Sequence, residues 1–147
     1  MNDRSLAPSR YFLRMCVQNA ERTIRKKGSP VTSGKVIAEQ SLGFWTSLFD
    51  THHYRLIGGS PIQAFPKKPA QANRNLINQK LNKIRKFRNR IYHNEPICFR
   101  GSNIDFSEAE IIIDEVYKLL NWIDPEMTNY VDYFNTIQSK IDSASNI

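Results

Sequence analysis

At 147 residues and 40% hydrophobic content, the chain can bury the core of one ordinary domain without disulfide staples. Cys16 and Cys98 are too few for a disulfide framework, Ile111-Ile112-Ile113 is far too short to span a bilayer, and residues 1–10 hold no apolar signal core. A secreted mini-scaffold and a membrane protein are thereby excluded, and a cytoplasmic protein with no membrane partner is expected; the net charge of +7 divides into +14 over residues 1–100 and −7 over residues 101–147.

The periodicity is helical throughout. A first helix is predicted over about Ser9 to Lys26, with Phe12, Cys16, Ala20 and Ile24 recurring every four residues, and Gly28-Ser29-Pro30 stops it. Thr32 or Ser33 can cap a second helix containing Val36, Ile37 and Gln40. Gly43 interrupts the pattern, and Phe44, Trp45, Leu48 and Phe49 form a further apolar patch whose spacing reads as core. A loop is expected over about 58–71, from Gly58-Gly59-Ser60-Pro61 through Pro66 and Pro69.

The central helix should span about Gln71 to His93, with Ile77, Leu81, Ile84, Phe87 and Ile91 inward and Pro96 disfavouring helix at Glu95. Ser107 and Glu110 have the spacing of a capping box. The helix they open points Ile112, Ile113, Val116, Leu119, Leu120 and Ile123 inward. Asp124-Pro125 opens a last helix that buries Met127, Tyr130, Val131, Phe134, Ile137 and Ile141. No alternating strand or repeat is evident. The expected fold is a single all-α domain over 1–147, a bundle of about five to six helices, with acidic C-terminal helices over about 107–142.

Lys67 to Arg90 holds nine basic residues and no acid, a block that attracts polyanions because each neutralised phosphate releases counterions. At its end, Arg88 and His93 enclose four residues, and Asn89 follows the arginine. An arginine can grip a phosphate with paired N–H donors and stabilise the charge that grows on it. A histidine can take or give the proton of a ribose hydroxyl or leaving oxygen. Together they suffice for RNA cleavage with the 2′-hydroxyl as nucleophile. The spacing alone is unspecific: with 11 arginines and 3 histidines, chance supplies about 0.7 matches to a tolerant form of the motif.

The wider string is more specific. Arg85-Lys86-Phe87-Arg88-Asn89-Arg90-Ile91-Tyr92-His93-Asn94-Glu95-Pro96-Ile97 resembles the signature of the Abi-like abortive-infection proteins of the HEPN superfamily, and Leu42-Gly43-Phe44-Trp45-Thr46-Ser47-Leu48-Phe49 resembles their second landmark. Phe65-Pro66 and Trp122-Ile123-Asp124-Pro125 fall where similar residues are expected, so the resemblance covers about residues 10–130. It implies a HEPN-type bundle, a homodimer and, for active members, a metal-independent endoribonuclease that arrests the cell during phage infection. By that resemblance Arg88 and His93 take the catalytic positions and Asn89 the polar one beside them.

Lys80, Lys83, Arg85, Lys86 and Arg90 are the expected RNA-binding cations, with Tyr92, Asn94 and Glu95 in support. The chain departs from the pattern at Asn94, which replaces a second histidine. It departs again at Glu95, where toxins silenced by a nucleotidyltransferase partner carry tyrosine, and in a shorter N-terminal region. No cofactor or metal is expected; His52-His53 beside Asp50 lacks a fourth ligand. The expected partners are RNA, a second copy of the chain, and an antitoxin or regulator.

At 100° per residue Arg88 lies about 40° from the centre of the apolar stripe, and His93 about 140° from Arg88. Either the helix loosens before Pro96, or a two-fold pairing of chains brings the two motifs into one cleft; the second is favoured because closed two-fold pairing is the commonest oligomer. The alternatives are a non-catalytic HEPN module that binds RNA or nucleotide or merely dimerises, and a helical interaction protein using the acidic C-terminal helices.

Overall fold

The computed structural model describes residues 11–144. Eight α-helices dominate the described residues: α1 (Phe12–Lys26), α2 (Ser33–Ala38), α3 (Leu42–Ser47), α4 (Thr51–Leu56), α5 (Arg74–Tyr92), α6 (Ser107–Ile123), α7 (Glu126–Phe134) and α8 (Ile137–Ala144). Among the described residues one hairpin, β1 (Phe99–Arg100) with β2 (Asn103–Ile104), interrupts the all-α architecture. The chain forms two compact units that divide between Gly59 and Ser60, inside the segment expected to be a loop. That segment also carries a 3-10 turn, Ser60–Ala64.

In the first unit, α1 buries Leu13, Ala20 and Ile24, while Phe12, expected inward, is 39% exposed. The expected start of this helix at Ser9 lies outside the described residues. Arg25 and Lys26 in its last turn suit the negative end of the helix dipole. Thr32 caps α2 by accepting from the Lys35 amide at 3.4 Å, and Ser41 caps α3 by accepting from that of Phe44 at 3.3 Å. Phe44 and Phe49 are buried, whereas Trp45 is 41% exposed and sets its ring edge-on to Phe44. His53 is buried, and its Nδ1–H donates to the Ser47 carbonyl at 3.0 Å.

In the second unit, α5 packs on α6, with Phe87, Ala109 and Ile112 at the core and Ile84 and Ile97 against them. Asn73 caps α5 by accepting from the Leu76 amide at 3.0 Å. An ion pair between Lys80 and Glu115 ties the two helices, both side chains being about 15% exposed or less, and Lys80 Nζ lies 5.7 Å from the centre of the Trp122 ring. The Lys67 amide donates to the Trp122 carbonyl at 2.9 Å, tying the preceding loop to the end of α6.

Several local expectations are corrected. Ile91 at the end of α5 and Ile123 at the end of α6, both expected inward, are exposed, because the last turn of each helix runs past the packed stretch. The capping box of Ser107 and Glu110 does not form, because Ser107 is already the first helical residue and Asp105 Oδ1 accepts from its amide at 2.8 Å. The last helix is two helices, broken where Asn135 Oδ1 accepts from the Ile137 amide at 3.0 Å and opens α8. Of its predicted inward face only Ile141 is buried, while Met127, Tyr130, Phe134 and Ile137 are exposed. Amphipathic spacing marks a face that needs a partner, and the described residues do not supply one here.

The hairpin is the element that the periodicity missed. Its strands are two residues each, paired Phe99 with Ile104 and Arg100 with Asn103. Gly101, at φ +64°, takes the left-handed first position of the two-residue turn. Gly101-Ser102 was the available signal, since this dipeptide is a hairpin turn wherever short extended segments flank it.

Candidate functional site

The C-terminal end of α5 determines how the motif is displayed. The Asn94 amide donates to the Ile91 carbonyl at 3.0 Å and the Glu95 amide to that of Arg90 at 2.9 Å, which together form a Schellman ending. Asn94 holds the left-handed position at φ +55°, the place Gly28 takes after α1 at φ +68°. His93 is therefore the last residue before the chain reverses, its own amide still bonded to the Asn89 carbonyl at 2.9 Å. Both His93 and Arg88 are exposed.

The two are joined through Tyr92. The Arg88 guanidinium sits over the Tyr92 ring at 5.1 Å, and the His93 imidazole meets that ring edge-on at 5.5 Å. Tyr92 is itself 70% exposed, so guanidinium, phenol and imidazole form one continuous surface. Arg88 Nη1 also donates to Asn89 Oδ1 at 3.4 Å, placing Asn89 beside it. No carboxylate among the described residues pairs with Arg88. An exposed cation–π contact contributes about 0.5–1 kcal/mol, and a 3.4 Å hydrogen bond is weak. A charge-assisted bond to phosphate contributes about 1.5–3 kcal/mol, so a phosphate can draw Arg88 away from both.

The expected RNA-binding cations separate into two groups. Lys83 and Lys86 are exposed and have no ion pair among the described residues, and Arg85 donates to Asn82 Oδ1 at 2.8 Å. Lys80 turns into the α5–α6 junction, and Arg90 is held by three partners: Glu108 at 2.6 Å, Glu95 at 3.5 Å and the Pro96 carbonyl at 2.9 Å. Glu95 thus anchors an arginine and closes the helix with its amide. Arg90 and Glu95 are the joint between α5, the segment after it and α6.

Beside Arg88, a groove of about 460 Å³ runs between α5, α6 and the α7–α8 corner. Ile84, Phe87, Ile91, Val116, Phe134 and Ile137 make its walls, and Arg88 is the one charged residue lining it. At the corner Tyr117 donates to Asp132 Oδ1 at 2.5 Å and accepts from Asn135 Nδ2 at 2.7 Å. The bond to Asp132 raises the phenol above its ordinary pKa. The hairpin borders a second depression, of about 310 Å³, on the side of α5 that carries Lys83. There Asp105, hydrogen-bonded to Ser107, titrates below the usual aspartate range.

Among the described residues no group of three His, Cys, Asp or Glu side chains could hold a metal ion, and no helix is long and apolar enough to cross a membrane. No protein-family model, curated protein or solved structure matches the chain.

Proposed function

We propose that the chain is a metal-independent endoribonuclease of the abortive-infection or toxin class, acting as a homodimer of HEPN-type subunits. The observation that supports it best is the Arg88–Tyr92–His93 surface, a guanidinium with no carboxylate partner among the described residues and an imidazole, bridged by one exposed ring at the end of a basic helix.

In the proposed reaction one imidazole takes the proton of a ribose 2′-hydroxyl, whose oxygen then bonds to the adjacent phosphorus. Arg88 holds the non-bridging oxygens as their charge grows. The bond from phosphorus to the 5′-oxygen breaks, and a protonated imidazole returns a proton to that leaving oxygen. The products are a 2′,3′-cyclic phosphate and a 5′-hydroxyl. A base and an acid acting together require two histidines, which two-fold pairing supplies. The apolar groove beside Arg88 and the exposed Ile91, Phe134 and Ile137 support such pairing. An antitoxin or regulator covering Arg88 is the further partner this reading implies.

In cleavage of single-stranded RNA, His93→Ala is expected to lower the rate by about a hundredfold or more, and Arg88→Ala by a comparable factor, with both variants folded. Activity should persist in excess EDTA, and RNA lacking the attacking 2′-hydroxyl should resist. Affinity should fall steeply with salt, and charge reversal at Lys83 and Lys86 should weaken it. If both single variants cut as well as the unmodified chain, these residues are not the site.

The second reading is a non-catalytic RNA-binding or dimerisation module. It is favoured by the absence, among the described residues, of any hydrogen bond between Arg88 and His93. Binding of RNA without any cutting would establish it.

A further inference from the structure

We propose that Arg85 is a second phosphate-binding residue on α5, oriented by Asn82 and Asn78, which holds the phosphate next to the one that Arg88 receives. The inference deepens the ribonuclease reading and rests on it for the identity of the substrate, though not for the binding of a strand with two phosphates.

The three arginines between Lys83 and Tyr92 are held in two different ways. Arg90 is neutralised, with the carboxylates of Glu108 at 2.6 Å and Glu95 at 3.5 Å. Arg85 and Arg88 meet amides instead. Arg85 Nη2 donates to Asn82 Oδ1 at 2.8 Å, and Arg88 Nη1 to Asn89 Oδ1 at 3.4 Å. An amide oxygen fixes the direction of a guanidinium but leaves its charge uncompensated. A carboxylate does both, and so removes what an anionic ligand needs.

Arg85 is the more firmly built of the two. Asn82 Nδ2 donates to Asn78 Oδ1 at 2.9 Å, so three side chains on successive turns form one chain of hydrogen bonds along the helix. All three residues are half-buried. The Arg85 Nε–H is enclosed without an acceptor, and Nη1 takes no hydrogen bond among the described residues. No carboxylate among the described residues pairs with this guanidinium. A cation partly withdrawn from water with unused donors is unfavourable until an anion reaches it.

Helix geometry sets the register. At 100° per residue Arg85 lies about 60° from Arg88, inside the arc of about 140° that separates Arg88 from His93. Asn89 and Tyr92 fall in the same arc. Arg85 and Arg88 are three residues apart, which puts their Cβ atoms about 5–6 Å from one another. Neighbouring phosphates of one strand have a comparable separation. A strand whose scissile phosphate sits on Arg88 can therefore lay an adjacent one on Arg85.

The test uses thymidine dinucleotides, which lack the 2′-hydroxyl and cannot be cut by this chemistry. TpT carries one phosphate, and pTpT and TpTp carry a second at one end or the other. In chemical-shift titrations of the full chain at low salt, the second phosphate at one end should tighten binding about tenfold or more. The end that gains shows on which side of the scissile phosphate Arg85 acts. Arg85→Gln should cut the gain to about twofold or less. Asn82→Asp should do the same with the arginine still present and the chain still folded, because a carboxylate then neutralises it. A merely structural contact would leave the gain intact in that variant. No saturable binding of pTpT and TpTp, no gain from either added phosphate, or an equal gain in Arg85→Gln or Asn82→Asp overturns the proposal. Failure of the ribonuclease reading looks different, since the gain and its loss in both variants would stand while the chain cut no RNA. Conversely, a chain that cuts RNA but gains nothing from the second phosphate removes this role of Arg85 and leaves the ribonuclease standing.

Discussion

Asn94 has a backbone role that its place beside a histidine does not suggest. Its φ of +55° costs most L-residues about 1–2 kcal/mol, and asparagine and glycine much less. Asn94→Gly should therefore leave the melting temperature unchanged or higher. Asn94→Val should lower stability by about 1–2 kcal/mol in denaturant melts and loosen the turn that presents His93. Equal stability of the two variants would mean that the left-handed residue is not what ends α5. Tyr92 is the complementary case. It packs against both Arg88 and His93 while remaining exposed, so Tyr92→Ala should slow RNA cleavage at unchanged stability, and Tyr92→Phe should restore the rate because the contacts use the ring. Melts alongside single-turnover rates separate the two effects.

Between elements, the α5–α6 pair rests on Phe87 against Ala109 and Ile112 at one end and on Lys80 with Glu115 at the other. Both members of the ion pair are largely withdrawn from water, so removing one strands the other. Lys80→Ala or Glu115→Ala should each cost about 3–5 kcal/mol, whereas the double change Lys80→Met with Glu115→Leu should come close to the unmodified chain. Chemical denaturation of the three variants checks this, and additive losses would place the pair in effectively open solvent. Lys80 is consequently a poor place to look for RNA contacts. Lys83 and Lys86, about one and two turns on and exposed, are better ones.

For the whole molecule, the exposed Tyr130, Tyr133, Phe134 and Ile137, with Ile91 beside the groove, form more apolar surface than isolated exposed residues would. Light scattering at micromolar concentration is expected to give about twice the chain mass of 17.1 kDa. Phe134→Asp should return the monomer and, if two histidines act together, abolish cleavage along with pairing. A dimer that survives Phe134→Asp would locate the interface elsewhere; a monomer at every concentration would remove the composite site altogether.

Repeating apolar spacing was enough to read the all-α class, the existence of α1, α5 and α6, and the core roles of Ala20, Ile24, Ile77, Phe87, Ile112 and Leu119, because burying one helical face imposes that period on the chain. Local chemistry was equally legible where a cap depends on neighbours alone, as at Thr32. What depends on distant residues was not. That Arg90 is clamped by Glu108, that Lys80 turns inward to Glu115, and that Phe99, Lys83 and Glu108 border one cavity all arise from the approach of α5 and the hairpin to α6. The bridge from Arg88 through Tyr92 to His93 is by contrast local, four residues and then one along the same helix end. Only the ties from α5 to α6 and to the hairpin were left to the tertiary structure, because no spacing within α5 specifies which distant residues approach it.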